Sequence, residues 1–452
     1  MISCNHSTSS PRLYLFSLLL AFFIYTPGAL AQDNESSDDE TKVITVNSTL
    51  NYDLLEHNQY TRKADILLSA VSSGRMATKK LYVGASLIAL MDYQVSNTDS
   101  KFGYLMRHPT ANNQIGKEVS EVTLHSAQVM FAGSLTDWIS VFTEFLYDPQ
   151  QSFGAGTITS LTRNQVQLRR GFVVFGNMNK FPVYGALGKM DVNFGYQGSV
   201  SPFTNSTMWH AFAGLGYGAM IGVNLGGLNA SFTAIQGGAQ FRALHVPVEG
   251  TTVPSRVNNF AADGSYTFNI GEGTTVQAGA SFVRGTSYCQ GFPVFHFMPC
   301  DVPNGAGTFY GNIYSGRLRI IGAWAITEDE WPGTHNPVPP LNQFAADKVS
   351  SLVGGASYVL SDNGMYSFIL SGEFSNFVAG PSGAPWERQN QYILGGSLMV
   401  NKSSRLFIEL FRTEGYAPLN FISGGNLDDP GATHSDRDAL SHGIIFGAHI
   451  VL

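Results

Sequence analysis

The sequence predicts an all-β chain, a transmembrane antiparallel β-barrel of about 16 strands, and three observations carry that prediction. Only 13% of the 452 residues are charged, against roughly 25% in an average soluble protein. From residue 81 onward, segments of about ten residues alternate between two faces with period two. The connections between these segments alternate short and long, with tight turns at one end and long loops at the other. Glycine (49 residues) and aromatics (12%) are abundant, and mean hydropathy is close to zero. After residue 31 no run of about 18 apolar residues occurs, which excludes spanning helices. A net charge of −7 without a basic run excludes nucleic acid as a partner.

In chain order, the first element is an export signal. Arg12 precedes an apolar stretch from Leu13 to Tyr25, followed by Pro27 and Ala29-Leu30-Ala31. A charged start, a short apolar core and an A-x-A site make residues 1–31 a secretory signal peptide. The apolar core would reach only about 20 Å as a helix, short of the roughly 30 Å of a bilayer. Residues 32–80 read as a periplasmic leader. Gln32 to Lys42 are polar and acidic. Within Val43 to Lys80 only Ile66 to Val71 is apolar, too little for a large plug domain.

Residues 81–452 form the barrel. In Arg163 to Phe175, Val166, Leu168, Phe172 and Val174 share one face, and Gln165, Gln167, Arg169 and Gly171 the other. Leu318, Ile320, Trp324 and Ile326 alternate with Arg319, Ile321, Ala323 and Ala325; Leu406, Ile408 and Leu410 alternate with Arg405, Phe407 and Glu409. At the C-terminus Ile444, Phe446, Ala448, Ile450 and Leu452 oppose Gly443, Gly447 and His449. Short connections fall near Ser134–Thr136, Asn177–Phe181, Gly226–Gly227, Gly271–Gly273, Gly316, Ser361–Gly364 and Asn401–Ser404, several with residues that tolerate positive φ. Long polar loops are expected at 95–120, 149–162, 196–206, 239–256, 286–306, 328–348, 377–387 and 414–438. Residues 207–225 read as one long strand with Trp209, Leu215, Tyr217, Ile221 and Val223 outward. The count is then 16, an even number that places both ends on the turn side and leaves room for an aqueous channel. Tyr93, Tyr147, Tyr184, Tyr266, Tyr358 and Tyr392 fall where an interfacial aromatic belt would sit.

By the same alternation Glu144, Arg169, Lys189, Asp191, Asp263, Arg317, Arg319, Glu373, Arg405 and Glu409 point inward as pore-lining residues. A charge facing lipid at mid-depth costs roughly 2–4 kcal/mol, so the wall confines its charges to the lumen. The equal mix of signs predicts neither strong cation nor strong anion selectivity. Cys289 and Cys300, together in loop 286–306, read as a disulfide in an oxidising compartment. Glu328-Asp329-Glu330 and the group Asp428, Asp429, Asp436 and Asp438 around His434 match no EF-hand spacing, so no metal and no cofactor is expected. Without a nucleophile motif or a phosphate-binding loop, the chain is read as no enzyme and no catalytic residue is assigned.

The run Gln167-Leu168-Arg169-Arg170-Gly171-Phe172-Val173-Val174-Phe175-Gly176-Asn177-Met178-Asn179 leads into Phe181-Pro182-Val183-Tyr184, then Gly188-Lys189-Met190-Asp191-Val192-Asn193-Phe194-Gly195 and Ser201-Pro202-Phe203-Thr204. This stretch, about 163–205, resembles the hairpin of the LbtU family of siderophore porins. Asn193 stands where that family's pattern has Pro, no coiled-coil segment is evident in 32–80, and the chain ends in Leu452 rather than an aromatic residue. The resemblance implies passage of a ferric siderophore across the bacterial outer membrane. With neither a plug domain nor the roughly 22 strands of plugged transporters, the expectation is a channel for facilitated uptake of small polar solutes. The alternatives are a general nutrient porin, or a surface adhesin or structural barrel whose loops bind a partner. Outer-membrane lipid, lipopolysaccharide, a small solute and a second copy of the chain are the expected partners.

Overall fold

The computed structural model describes residues 43–58, 62–99, 116–147, 166–236, 257–289, 302–417 and 435–452. Sixteen antiparallel strands pair each with the next: β1 (Lys80–Ser96), β2 (Glu118–Thr136), β3 (Ile139–Tyr147), β4 (Val166–Phe175), β5 (Val183–Asp191), β6 (Leu215–Leu225), β7 (Leu228–Gln236), β8 (Val257–Asn269), β9 (Thr274–Val283), β10 (Ala306–Ser315), β11 (Leu318–Trp331), β12 (Asp347–Asp362), β13 (Tyr366–Val378), β14 (Arg388–Val400), β15 (Ser404–Tyr416) and β16 (Asp436–Val451). β16 pairs back onto β1, from Ser441↔Ser96 to Val451↔Ser86, so the sheet closes and has no edge. The chain is a closed 16-strand barrel of the outer-membrane type.

Alternation sorts the wall as the sequence requires. Leu187 (58% exposed) and Leu394 (65%) lie on the outer face, Glu409 (0%) on the inner. Leu406, Ile408 and Leu410 turn outward against inward Phe407 and Glu409, and Ile320 and Trp324 outward against Ile321, Ala323 and Ala325. Tyr93, Tyr266, Tyr358 and Tyr392 are exposed near strand ends, the place of an aromatic girdle. Tyr184 is not among them: it is buried on the inner face, its hydroxyl 3.4 Å from Asn229 Oδ1.

Two of the departures from expectation have a local reason in the backbone. In β4 the pairing runs Glu144↔Arg170 and then Phe145↔Leu168, so Arg169 is an extra residue in a β-bulge. One inserted residue exchanges the faces beyond it. Val166 and Leu168 face out as expected, but Phe172 and Val174 are buried inside. Gly188, opposite Phe172, carries φ +138°, and a Cβ there would lie 2.3 Å from the Gly171 carbonyl oxygen. That approach admits only glycine.

The second concerns residues 207–225. Strand β6 begins only at Leu215, and Thr207–Phe212 form a short helix, capped by the Ser206 side chain, which accepts from Trp209 N. The connection 192–214 therefore does not stay at the surface. Its residues Val192, Asn193, Phe194, Tyr196, Val200 and Phe203 to Met208 are buried, and it is folded into the barrel.

Residues ahead of the barrel also enter it. Ile44–Thr45 pair in parallel with Leu81–Tyr82 of β1. Helix α1 (Ser48–Leu55) follows, its Asn47 cap accepting from Leu50 N, and then helix α2 (Lys63–Ser72). Leu50, Leu54, Leu55 and Leu67 pack against Met130, Phe142, Phe172, Val174, Met220 and Met399 on the inner wall near the turns. Within the stretch read as a leader, α1 and α2 thus bury their apolar sides against the inner wall.

Candidate functional site

A 16-strand barrel is too wide for wall side chains to fill, yet many inward residues are out of solvent. Ala132, Ala186, Ala261, Ala306 and Ala325 are all small, and all buried. What covers them is the pair of insertions, and the site is the lumen they share.

The loop insertion fills the loop end. Its apolar side chains, among them Phe194, Tyr196, Val200, Met208 and Phe212, form one cluster with Ile235, Val283, Ile321, Val349, Val353, Trp331 and Trp386. The irregular backbone needs hydrogen-bond partners once buried, and two wall carboxylates supply them. Glu373 Oε2 accepts from Ser199 Oγ (2.7 Å) and Val200 N (3.0 Å). Glu409 Oε1 accepts from Phe203 N (2.6 Å) and Thr204 N (3.0 Å), and Oε2 from Thr204 Oγ1. Gln391 donates to the Asn205 carbonyl, Ser375 Oγ accepts from Thr207 N, and Arg405 donates to the Pro202 carbonyl (3.0 Å). Charge-assisted bonds of this kind are about twice as strong as neutral ones.

The helical insertion is held by side-chain ion pairs to opposite walls. Glu56 meets Arg405 at 2.6 Å and Arg62 meets Asp263 at 2.5 Å. Asp263 also accepts from Ser281 Oγ and Tyr310 OH. Burial pushes the Glu56 carboxyl up, but the Arg405 guanidinium overrides this and holds it below the usual carboxylate range. Burial brings the Lys63 ammonium down to about 8, with Glu144 opposing that fall and Arg170 adding to it. The two insertions touch each other. Asn58 Nδ2 donates to the Ser201 carbonyl at 2.9 Å, and the His57 ring stacks on Phe203 at 5.1 Å, which in turn stacks on Phe407.

Between the insertions lies a polar cavity of about 80 Å³, bounded by Glu56, Arg62, Lys63, Glu144, Arg169, Arg170, Asp191 and Trp209. Arg170 forks across it, binding both Asp191 oxygens (2.6 and 2.8 Å) and Glu144 (2.9 Å), with Arg169 3.5 Å from Glu144. Toward the turn end, by contrast, the inner wall of β8 to β13 is only partly covered. Thr267, Gln277, Arg319, Ser357 and Ser371 are only half-buried there, and Tyr314 is 38% exposed.

Of the ten residues predicted inward, the structure places Glu144, Arg169, Asp191, Asp263, Arg319, Glu373, Arg405 and Glu409 on the lumen side. Lys189 departs. It lies opposite Tyr217 and shares the face of Leu187, and its ammonium donates to the Leu168 carbonyl (3.0 Å) beside the bulge. Arg317 departs too: it follows the left-handed Gly316 in a tight turn and donates to the Leu360 carbonyl. Sequence reasoning missed Arg170, which the bulge turns inward, and the hairpin charges Glu56, Arg62 and Lys63. One signal was legible: residues 192–214 contain no Asp, Glu, Lys or Arg, a composition unlike a surface loop.

Cys289 packs beside the loop-end cluster; Cys300, Asp428, Asp429 and His434 lie outside the described residues. Among the described residues no group of three or more His, Cys, Asp and Glu side chains could hold a metal ion.

No family model matches the chain. A protein of Coxiella burnetii (strain RSA 493 / Nine Mile phase I) named UPF0422 protein is 26% identical over 180 residues. The match spans 38% of this chain and 36% of the length of that relative. Among solved structures, an anion-selective porin from Comamonas acidovorans aligns with TM-score 0.48 and 11% identity, over 82% of this chain and 99% of that one. The outer membrane channel DcaP of Acinetobacter baumannii aligns with TM-score 0.49 and 11% identity (82% and 97%), and Pseudomonas putida OprB with 0.47 and 7% (82% and 94%). The assignment of the fold rests on the chain's own strand pairing.

Proposed function

We propose that the protein is an outer-membrane channel for small polar solutes, exported by residues 1–31, in a closed form. The observation that carries this is what fills the lumen. The wall contributes alanines and polar side chains, while the occluding mass comes from two separable segments. A barrel meant only as a structural post needs no charged inner wall, whereas Glu144, Asp263, Glu373, Arg405 and Glu409 are all turned inward. A ferric siderophore is the candidate solute, supported by the resemblance of residues 163–205, and a general nutrient porin is the coarser form of the same reading. A disulfide between Cys289 and Cys300 would brace the loop end, and a homo-oligomer is compatible with the apolar outer face.

One observation favours a second reading. With both insertions seated in the lumen, the barrel could serve as a carrier for surface loops that bind a partner. Single-channel recording of the refolded chain in salt, with and without a ferric siderophore, separates the readings. Open current interrupted by the chelate is expected for the siderophore channel, and current indifferent to it leaves the general porin. Complete absence of current under all voltages would overturn the channel.

A further inference from the structure

The pairing register places Thr275, Tyr314, Arg319, Ser357 and Ser371 at one level of the inner wall, on five consecutive strands. Thr275 pairs with Tyr314, Tyr314 with Arg319, Arg319 with Ser357 and Ser357 with Ser371. Directly opposed residues hold their Cβ atoms roughly 5 Å apart, so four hydroxyl groups flank a single guanidinium in a continuous row. The Arg319 group lies over the Tyr314 ring at 5.4 Å and reaches Tyr196 OH of the loop insertion at 2.5 Å. The Ser371 hydroxyl is shielded from solvent and meets no hydrogen-bond partner among the described residues.

We propose that this row is the floor of a vestibule, open at the turn end, that binds a small hydrophilic anion beneath Arg319. The inference rests on the channel reading and names the class of solute that such a channel would take or deliver. A guanidinium with hydroxyl donors on both sides suits a carboxylate, phosphate or comparable oxyanion. The loop insertion roofs part of the row, with Tyr196 at Arg319 and Pro202 beside Ser371, and leaves Tyr314 exposed at the turn end.

Cysteine labelling tests the vestibule without needing an open channel. Ser357→Cys, in a background with Cys289 and Cys300 replaced by Ser, would be reacted with a sulfonate-bearing and an ammonium-bearing methanethiosulfonate. The anionic reagent is expected to react faster, relative to a free thiol, by roughly tenfold. Arg319→Gln should abolish that preference and Arg319→Lys should restore part of it. A thiol at position 357 unreactive to both reagents would overturn the vestibule, and equal rates insensitive to Arg319 would overturn the anion. Anionic preference together with zero bilayer current would leave the vestibule standing and remove the channel instead.

Discussion

The loop insertion 192–214 and the helical insertion built on α1 and α2 fill the same barrel by opposite means. The loop insertion is fixed at both ends to strands β5 and β6 and has no charge of its own; its backbone is held by wall carboxylates. The helical insertion carries its own charges and is anchored by side chains to β8 and β15. Its chain continues into the wall only through the segment before β1. Backbone held by Glu373 and Glu409 cannot shift without leaving several buried donors unsatisfied, whereas each ion pair of the hairpin breaks individually. Filling a barrel and sealing it permanently are therefore separate tasks, divided between separate stretches of sequence. Arg405, which binds both Glu56 and the Pro202 carbonyl, is a residue they share.

The largest effect should come from Glu409→Ala. Three donors of the loop insertion would lose a charged acceptor in a dry setting, a loss of about 3–5 kcal/mol. Hydrogen exchange should rise across residues 199–207 while α1 stays protected; equal loosening of both would erase the difference between the two insertions. Arg62→Gln should cost less, about 2 kcal/mol, because Asp263 keeps Ser281 and Tyr310 as donors. Trypsin cleavage at Lys63 should then appear, with no change in the exchange of residues 199–207. The smallest effect is one of pH. Lys63 sits at about 8 in the docked hairpin, below its ordinary value near 10.4. The undocked state therefore holds more protons between those values, and docking strengthens as pH rises through 8 and weakens below it. From pH 7 to 9 the gain is about 1 kcal/mol, readable as slower exchange in α2 that Lys63→Met abolishes.

Period-two patterning made the wall legible, because a closed sheet between lipid and lumen forces every strand to alternate. Strand number, turn positions and most inward charges followed from it. What it could not register is the single residue that breaks the period. The bulge at Arg169 moved Phe172, Val174 and Arg170 inward, while in β5 the alternation that buries Tyr184 and Ala186 puts Lys189 on the other face. Nor does alternation speak for segments that are not strands. Trp209, Leu215 and Tyr217 fitted a strand pattern, while Ser206 as a cap and the absence of charge from 192 to 214 pointed to a buried turn and helix. The hairpin was harder to see, since α1 and α2 bury their leucines only against the barrel interior.

Asn51 of α1 donates its side-chain amide to the Val83 carbonyl (2.9 Å) and to the Leu452 carbonyl (2.7 Å), groups on the two sides of the seam where β1 meets β16. The wall is cut to receive it: a Cβ on Gly84 would lie 2.8 Å from the Asn51 side chain. That seat does not exist until the last strand has paired with the first. The hairpin is accordingly among the earliest described segments to leave the ribosome and among the last to find its place, and its docking records that the ring has been joined.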